Sequence, residues 1–389
     1  VHRHDLDVVY VNYNATDLLA DSMASLRRHA GAARIAVRIL VVDNGSRPAD
    51  AAALETLPDP VELIRFSRNR GFGAACNLGA EHGRAPFLLF LNPDTLVLPD
   101  TLPGLLDVLR RHDGEVLAGA RQYADRDRCL TIAPFRGSSP WGDASDVLFD
   151  RGWLPRRSLG YLRRHLAILS RTDPVEVRQV AGNALAVGRR AFERLGGFDT
   201  RFFLYHEDED LCRRARAAGL PCLYLPGAGI VHWLERSTDT ARSLATESIR
   251  RGHATLMRRH YRPAARGLAA MARCAARSLP RLGLRDERAA TLDPTRPLPL
   301  PRHHGGGRTV VQFARSSLFD NCLIAVPEGE VFRLPFTFHA SLFPGRYFLR
   351  IVVETGPDRW AEHSLHCLIK ESPAAPVPRL SRPRVRHGP

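Results

Sequence analysis

The sequence predicts an α/β fold with a doubly wound sheet over roughly its first 235 residues, followed by a helical extension and a smaller β-rich module. Two observations carry the first part. Apolar runs at Asp7–Val11, Val37–Val42, Val61–Phe66 and Phe87–Leu91 alternate with helical patterns, and each run ends in polar residues or glycine. Three of the runs are nearly continuous, as strands covered on both faces require.

The helices between them follow from spacing. Thr16–Ala30 opens on a capping residue and places Leu18, Leu19, Met23 and Leu26 at helical intervals. Ala49–Leu57 and Gly73–His82 supply the next two crossovers. Residues 121–180 are rich in Arg, Gly and Pro and carry no regular period. Strand signals return at Val180–Val187, Cys222–Leu225 and Gly229–His232, with a helix at Asp208–Ala218 closed by Gly219. From Thr240 to about Leu284 the pattern is helical and basic. Phe332, Leu334, Phe336 and Phe338 then alternate with polar or small residues, and Tyr347, Leu349, Ile351 and Val353 do the same after Pro344-Gly345. That predicts a small sandwich of period-two strands. The resulting division is 1–239, 240–293, a linker at 294–307, 308–371, and a disordered tail at 372–389.

Composition narrows the function classes. The chain has 389 residues, 44% of them hydrophobic and 25% charged, as in a globular protein able to bury a full core. Its net charge is +15, with Lys370 the one lysine, so phosphate-bearing partners are favoured: nucleotides, nucleic acid or anionic lipid. The seven cysteines have no C-x-x-C spacing, which argues against a zinc site or a disulfide framework. No apolar run reaches transmembrane length and the first residues lack a signal-peptide core, so a cytoplasmic protein is expected.

Ligands of an open parallel sheet bind beyond the carboxyl ends of its strands. There this chain places Asn12-Tyr13-Asn14, Asp43-Asn44-Gly45-Ser46, Arg68-Asn69-Arg70-Gly71 and Asn92-Pro93-Asp94. Asn, Asp and Gly are ordinary turn formers, but four such groups in succession point to a site. No G-x-G-x-x-G follows the first strand, which disfavours a dinucleotide.

These segments, with Gly182-Asn183, Gly196-Gly197-Phe198-Asp199 and Glu207-Asp208-Glu209-Asp210-Leu211-Cys212, resemble family 2 glycosyltransferases, particularly the bacterial rhamnosyltransferase-like branch. The resemblance covers residues 6 to about 233 and implies a GT-A, Rossmann-like domain. It implies that Asp43 contacts the donor nucleoside, with Asn12, Asn69, Gly71 and Asn92 also on the donor. It places Asp94 on a divalent cation, Mg²⁺ or Mn²⁺, and Gly182, Asn183 and Glu207 toward the acceptor. Asn92 stands where the family often has a first aspartate, which leaves one carboxylate for the metal. His232 is either a further metal or phosphate contact or merely a polar strand end. Asp208 would be the general base of an inverting transferase; the alternative is that the acidic cluster simply complements a helix dipole.

The implied reaction takes a nucleotide-sugar donor, with dTDP-rhamnose the first choice, and a glycan or lipid-linked saccharide acceptor. Specific nucleic-acid binding is not expected, since no known recognition motif is present. The Arg-rich stretch 250–284 reads either as a solvated helix or as a surface for an anionic cytoplasmic membrane. The strands after Phe336 resemble the carbohydrate-binding sandwich of O-antigen exporters, with a structural or oligomerising domain the alternative. A competing function is a carbohydrate-binding or assembly protein with a degenerate transferase domain; the intact Asp43, Asp94 and Asp208 argue against it.

Overall fold

The computed structural model describes residues 4–58, 61–150, 153, 157–232, 242–280, 290–301, 307–315, 322–342, 344–356 and 359–370. The tail expected from 372 lies outside them.

The first half builds β1 (Leu6–Asn12), α1 (Thr16–Ala32), β2 (Val37–Asn44), α2 (Pro48–Leu54), β3 (Glu62–Phe66), α3 (Phe72–His82) and β4 (Phe87–Leu91). Then come β5 (Thr95–Val97), α4 (Thr101–Arg111), β6 (Leu117–Tyr123) and β7 (Thr131–Ile132). β1 pairs in parallel with β2 and β4, and β2 with β3. Side chains of β1 alternate between two cores. Leu6, Val8 and Tyr10 pack with α1 and α4, while Val9 and Val11 pack with α3 on the other face. This two-sided burial is why the strand reads as a continuous apolar run.

The chain continues through α5 (Pro140–Asp150), α6 (Arg157–Leu169), β8 (Val175–Glu176), β9 (Ala184–Gly188), α7 (Arg189–Arg194), α8 (Glu207–Ala217) and β10 (Cys222–His232). Here the sheet becomes mixed: β9 is antiparallel to both β4 and β6, and β10 is parallel to β6. The fold is Rossmann-like and of the GT-A type. Several boundaries differ from the sequence reading. The strand expected over Val180–Val187 begins only at Ala184. The two short strands expected at 222–225 and 229–232 are one strand, β10, whose register shifts between Leu225 and Gly229. Pro226 and Gly227 interrupt the apolar pattern there without ending the strand. The aperiodic stretch 121–180 holds α5 and α6, whose arginines and glycines mask a helical spacing such as Leu159, Leu162 and Leu166.

The last part comprises α9 (Arg242–His260), α10 (Pro263–Ser278), β11 (Ala290–Thr291), β12 (Leu298–Pro299), β13 (Thr309–Ala314), β14 (Leu323–Ala325) and β15 (Val331–Phe332). It ends with α11 (Phe336–Ser341), β16 (Gly345–Gly356) and β17 (Arg359–Lys370). The alternation expected through Phe338 stops at Phe332, and residues 336–341 are helical instead. Pro335 lacks an N–H for a ladder and holds φ at −55°, so it starts a helix. That helix buries Phe338 against Phe313 and leaves Phe336 exposed.

The strands β13, β14, β16 and β17 form an antiparallel sheet joined to the sheet of the first half through β14 and β7, with Leu323 opposite Ile132. Among the described residues, only the two-stranded ribbon β12–β15 lies outside this continuous sheet. Ala124 and Leu130 of the first half share one core with Phe313, Phe338, Tyr347 and Leu349 of the second.

Candidate active site

Strand registers assemble the polar residues at one edge. Asn12 lies directly opposite Asp43 in the β1–β2 ladder. Asn12 is fully buried; its Nδ2 donates to Thr16 and Ser46, while its Oδ1 has no hydrogen-bond partner among the described residues. Asp43 Oδ1 accepts the Ser46 N–H at 3.1 Å. Asn44 closes the next loop by donating to Asn69 Oδ1 and the Gly71 carbonyl and accepting from Arg70 N. Asn69 Oδ1 also accepts the Gly71 N–H, so the Asn69 side chain shapes this loop. Gly71 has φ of 92°, and a Cβ there would come within 2.5 Å of the Phe203 carbonyl oxygen. Only glycine lets this loop touch the segment that leads into α8.

Two more registers bring β4 and β10 together. Leu91 opposes Ala184, so the Asn92 N–H meets the Asn183 carbonyl at 3.0 Å. Thr95 opposes His232, which sets the buried Asp94 carboxylate 3.4 Å from His232 Nε2. Asn183 Nδ2 lies 2.9 Å from His232 Nδ1 and donates to Gln122 Oε1 at 2.7 Å. The hydrogen bond on the other ring nitrogen orients His232 toward Asp94. Gln122 carries no chemistry in isolation, so only the fold reveals its place here.

The base candidate is anchored from the same dipeptide. Gly182 N–H donates to Asp208 Oδ2 at 2.9 Å, and Glu209 N–H to Oδ1 at 2.7 Å. Gln179 Nε2 approaches Oδ1 at 3.4 Å. A side chain on Gly182 would crowd Asp208 Cβ at 3.3 Å. Tyr205 and His206, just before α8, are both left-handed, with φ of 69° and 71°. Two consecutive non-glycine residues in that region mark strain at the point where the acidic turn is presented. Gly182-Asn183 thus touches both ends of the site: the backbone holds Asp208, and the side chain holds His232 beside Asp94.

The four acidic residues opening α8 have separate environments. Glu207 is buried, its Oε2 has no partner among the described residues, and it lies under α3 near Gly73 and Cys76. Burial, joined by the charge of Asp208, pushes its carboxyl up to about 8. Asp208 is half-buried, and burial raises it as well. Glu209 accepts from Ser138 and pairs with Arg213 at 2.8 Å. Asp210 is fully buried against Arg214, Arg259 and His260.

A hard cation suits this donor set only in part. Asp94 and His232 converge, but among the described residues no three His, Cys, Asp or Glu side chains do. A cation here needs further oxygen ligands, as a diphosphate supplies.

A mixed sheet that gathers Asn12, Asp43, Asp94 and an acidic helix start at one edge defines a GT-A transferase domain. Residues 7–133 match the family model of glycosyl transferase family 2. The chain is 31% identical over 272 residues to N-acetylglucosaminyl-diphospho-decaprenol L-rhamnosyltransferase of Mycobacterium tuberculosis, spanning 62% of this chain and 80% of that protein. It is 27% identical over 149 residues to rhamnosyltransferase WbbL of Escherichia coli, covering 38% of this chain and 52% of that one. Solved structures that the chain is similar to include a mannosyltransferase from Pyrobaculum calidifontis in complex with GDP-Man and Mn²⁺ (TM-score 0.43, 18% identity, 72% of this chain and 77% of that one). Another is GalNAc-T7 with UDP, GalNAc and Mn²⁺ (TM-score 0.42, 16% identity, 59% of this chain and 44% of that one). The chain belongs to glycosyltransferase family 2.

Proposed function

We propose that this glycosyltransferase moves rhamnose from dTDP-rhamnose to a polyprenyl-linked saccharide, with inversion, in the synthesis of a cell-surface polysaccharide. The observation that carries the mechanism is the Gly182-Asn183 dipeptide, which ties Asp208 to the Asp94–His232 pair. The choice of sugar and acceptor rests on the Mycobacterium tuberculosis relative, whose name specifies both.

In this reading Asn12 and Asp43 hold the nucleoside, and Asn69, Gly71 and Asn92 line its diphosphate path. Asp208 Oδ accepts the proton of the acceptor hydroxyl as that oxygen bonds to the anomeric carbon and the carbon–phosphate-oxygen bond breaks. Backbone donors from Gly182 and Glu209 fix the carboxylate, so little reorganisation is needed at that moment. Glu207 and Asn183 orient the acceptor. Asp94 and His232 would hold Mg²⁺ or Mn²⁺, which offsets charge on the departing diphosphate when bound.

A lipid-linked acceptor requires a membrane surface, and α10 offers one. Its outward stripe, Ala264, Gly267, Leu268, Met271, Cys274 and Ala275, carries no charge; Leu268 is 55% and Met271 69% exposed. Residues 242–280 contain nine arginines and one acidic residue, Glu247. Trp141 and Trp153 are exposed nearby, and Trp153 donates to the Pro280 carbonyl at 3.0 Å beyond the end of α10. Among the described residues no helix is long and apolar enough to cross a bilayer. An apolar stripe flanked by arginines and tryptophans suits the cytoplasmic face of an anionic membrane.

The direct test incubates the protein with dTDP-rhamnose, Mg²⁺ and a short-chain polyprenyl diphospho-N-acetylglucosamine. The expected product carries rhamnose with anomeric configuration opposite to that of the donor, read by NMR. Retained configuration would exclude the single-displacement role of Asp208. For the membrane face, the protein should co-sediment with phosphatidylglycerol vesicles and not with phosphatidylcholine ones. Leu268→Asp with Met271→Asp should abolish that binding, and unchanged sedimentation would remove α10 from the role.

A further inference from the structure

One cavity beside Asp94 is not accounted for by the family resemblance. It measures about 230 Å³, and its walls include Leu18 and Asp21 of α1, Asp94, Leu96, Arg126 and Thr337. The last of these comes from α11, far along the chain in the C-terminal module.

The segments that carry the two newly implicated residues are both anchored. Arg126 lies on the turn between β6 and β7, stapled by the fully buried Asp125, whose carboxylate accepts the N–H groups of Cys129 at 3.1 Å and Leu130 at 2.7 Å. Thr337 is exposed on α11, next to Phe338, which anchors the helix in the core beside Phe313. Lys370 Nζ donates to the carbonyl of His339 at 2.6 Å and to that of Leu342, tying the helix end to β17. Leu130 and Phe338 sit in the same core, so the turn and the helix are fixed relative to one another.

The lining chemistry is mixed in a particular way. Leu18 and Leu96 give an apolar wall, and two carboxylates, a guanidinium and the threonines Thr95 and Thr337 supply the polar groups. A pyranose ring has the matching form, with an apolar face and an edge of hydroxyls. The volume lies below that of pockets for drug-sized ligands, which suits a single ring.

We propose that Arg126 and Thr337 form a pyranose subsite against Asp94, so that the C-terminal module completes the sugar-binding site. The inference rests on the reading that Asp94 faces the donor diphosphate. The ring bound there belongs either to the donor or to the acceptor, and the experiment separates them.

Calorimetry would measure dTDP and dTDP-rhamnose binding to the full chain, to Thr337→Trp, which fills the cavity, and to Arg126→Ser, which removes the guanidinium. Both positions are exposed, so folding should survive; circular dichroism checks it. The expected result is about a tenfold weaker dTDP-rhamnose affinity in each variant, with dTDP affinity within about twofold of wild type. Unchanged donor binding with about a tenfold rise in acceptor KM would assign the ring to the acceptor instead and still support the subsite. Equal weakening of dTDP and dTDP-rhamnose would overturn it, because the contact would then be to the diphosphate. Variants matching wild type in every measurement would also overturn it. A wild-type protein that binds neither ligand would instead sink the donor reading on which the inference stands.

Discussion

The first turn of α8 contains four consecutive carboxylates, and its two halves have opposite surroundings. Glu209 and Asp210 face basic side chains: Arg213 and His206 for the former, and Arg214, Arg259 and His260 for the latter. Glu207 and Asp208 form no ion pair among the described residues, and burial raises both. Burial raises Glu209 too, but His206, Ser138 and Arg213 outweigh it and bring the carboxyl down to about 2. The same residue types, side by side in one turn, thus become an ion-paired anchor and a pair whose burial favours the protonated form. What separates them is the helix face. Positions 209 and 210 meet Ser138 and the helical extension, whereas 207 and 208 meet α3 and the Gly182 backbone.

Exchanging carboxylate for amide across the turn tests this contrast. Asp208→Asn should produce the largest effect, a loss of turnover of about 10²–10⁴-fold with nucleotide binding retained. Its amide also places an NH₂ against one of two backbone N–H donors, so a small drop in thermal stability should accompany the kinetic loss. Near wild-type turnover in a steady-state assay would move the base elsewhere, with Glu207 the next candidate.

The two glutamates should have opposite pH signatures in denaturant unfolding. The Glu209 carboxyl lies below its ordinary 4.5 in the folded chain, so its stabilisation is complete above about pH 4.5 and lost as pH falls toward 2. On the order of 3 kcal/mol is at stake, and Glu209→Gln should remove it. Glu207 lies above 4.5, so its contribution is fully present below that pH and is lost as pH rises toward 8. Glu207→Gln should therefore gain stability relative to wild type above pH 7. Parallel pH profiles for the two variants would erase the distinction. The smallest effect on turnover belongs to Asp210→Asn, within about threefold of wild type, although leaving Arg214, Arg259 and His260 without their anion should cost about 3 kcal/mol of stability. A loss of turnover as large as that of Asp208→Asn would show that Asp210 shares the chemistry.

Much of this was legible in the residues. The run Leu6–Val11 announces a strand covered on both faces, because only apolar side chains survive on either side of a central strand. The terminal groups Asn12, Asp43 and Asp94 mark the edge proposed for binding, because parallel strands of a doubly wound sheet deliver their carboxyl ends to one side. Period alone misjudged residues 336–338, where Pro335 ends the ladder and begins a helix. It also passed over α6, whose leucines are interrupted by arginines that reach solvent.

The sequence by itself therefore determined the class of fold and the identity of the polar groups at its edge, since burial and strand geometry act locally on each segment. Only the tertiary structure decided which of those groups meet. Strand register sets His232 beside Asp94 and the Asn92 N–H on the Asn183 carbonyl, and Gly182 reaches Asp208 only through the packing of α8. The pairing of β7 with β14 joins the C-terminal sheet to the transferase sheet, and α11 brings Thr337 to the Asp94 cavity. Contacts between residues so distant in the chain depend on how the layers pack, which no single segment encodes.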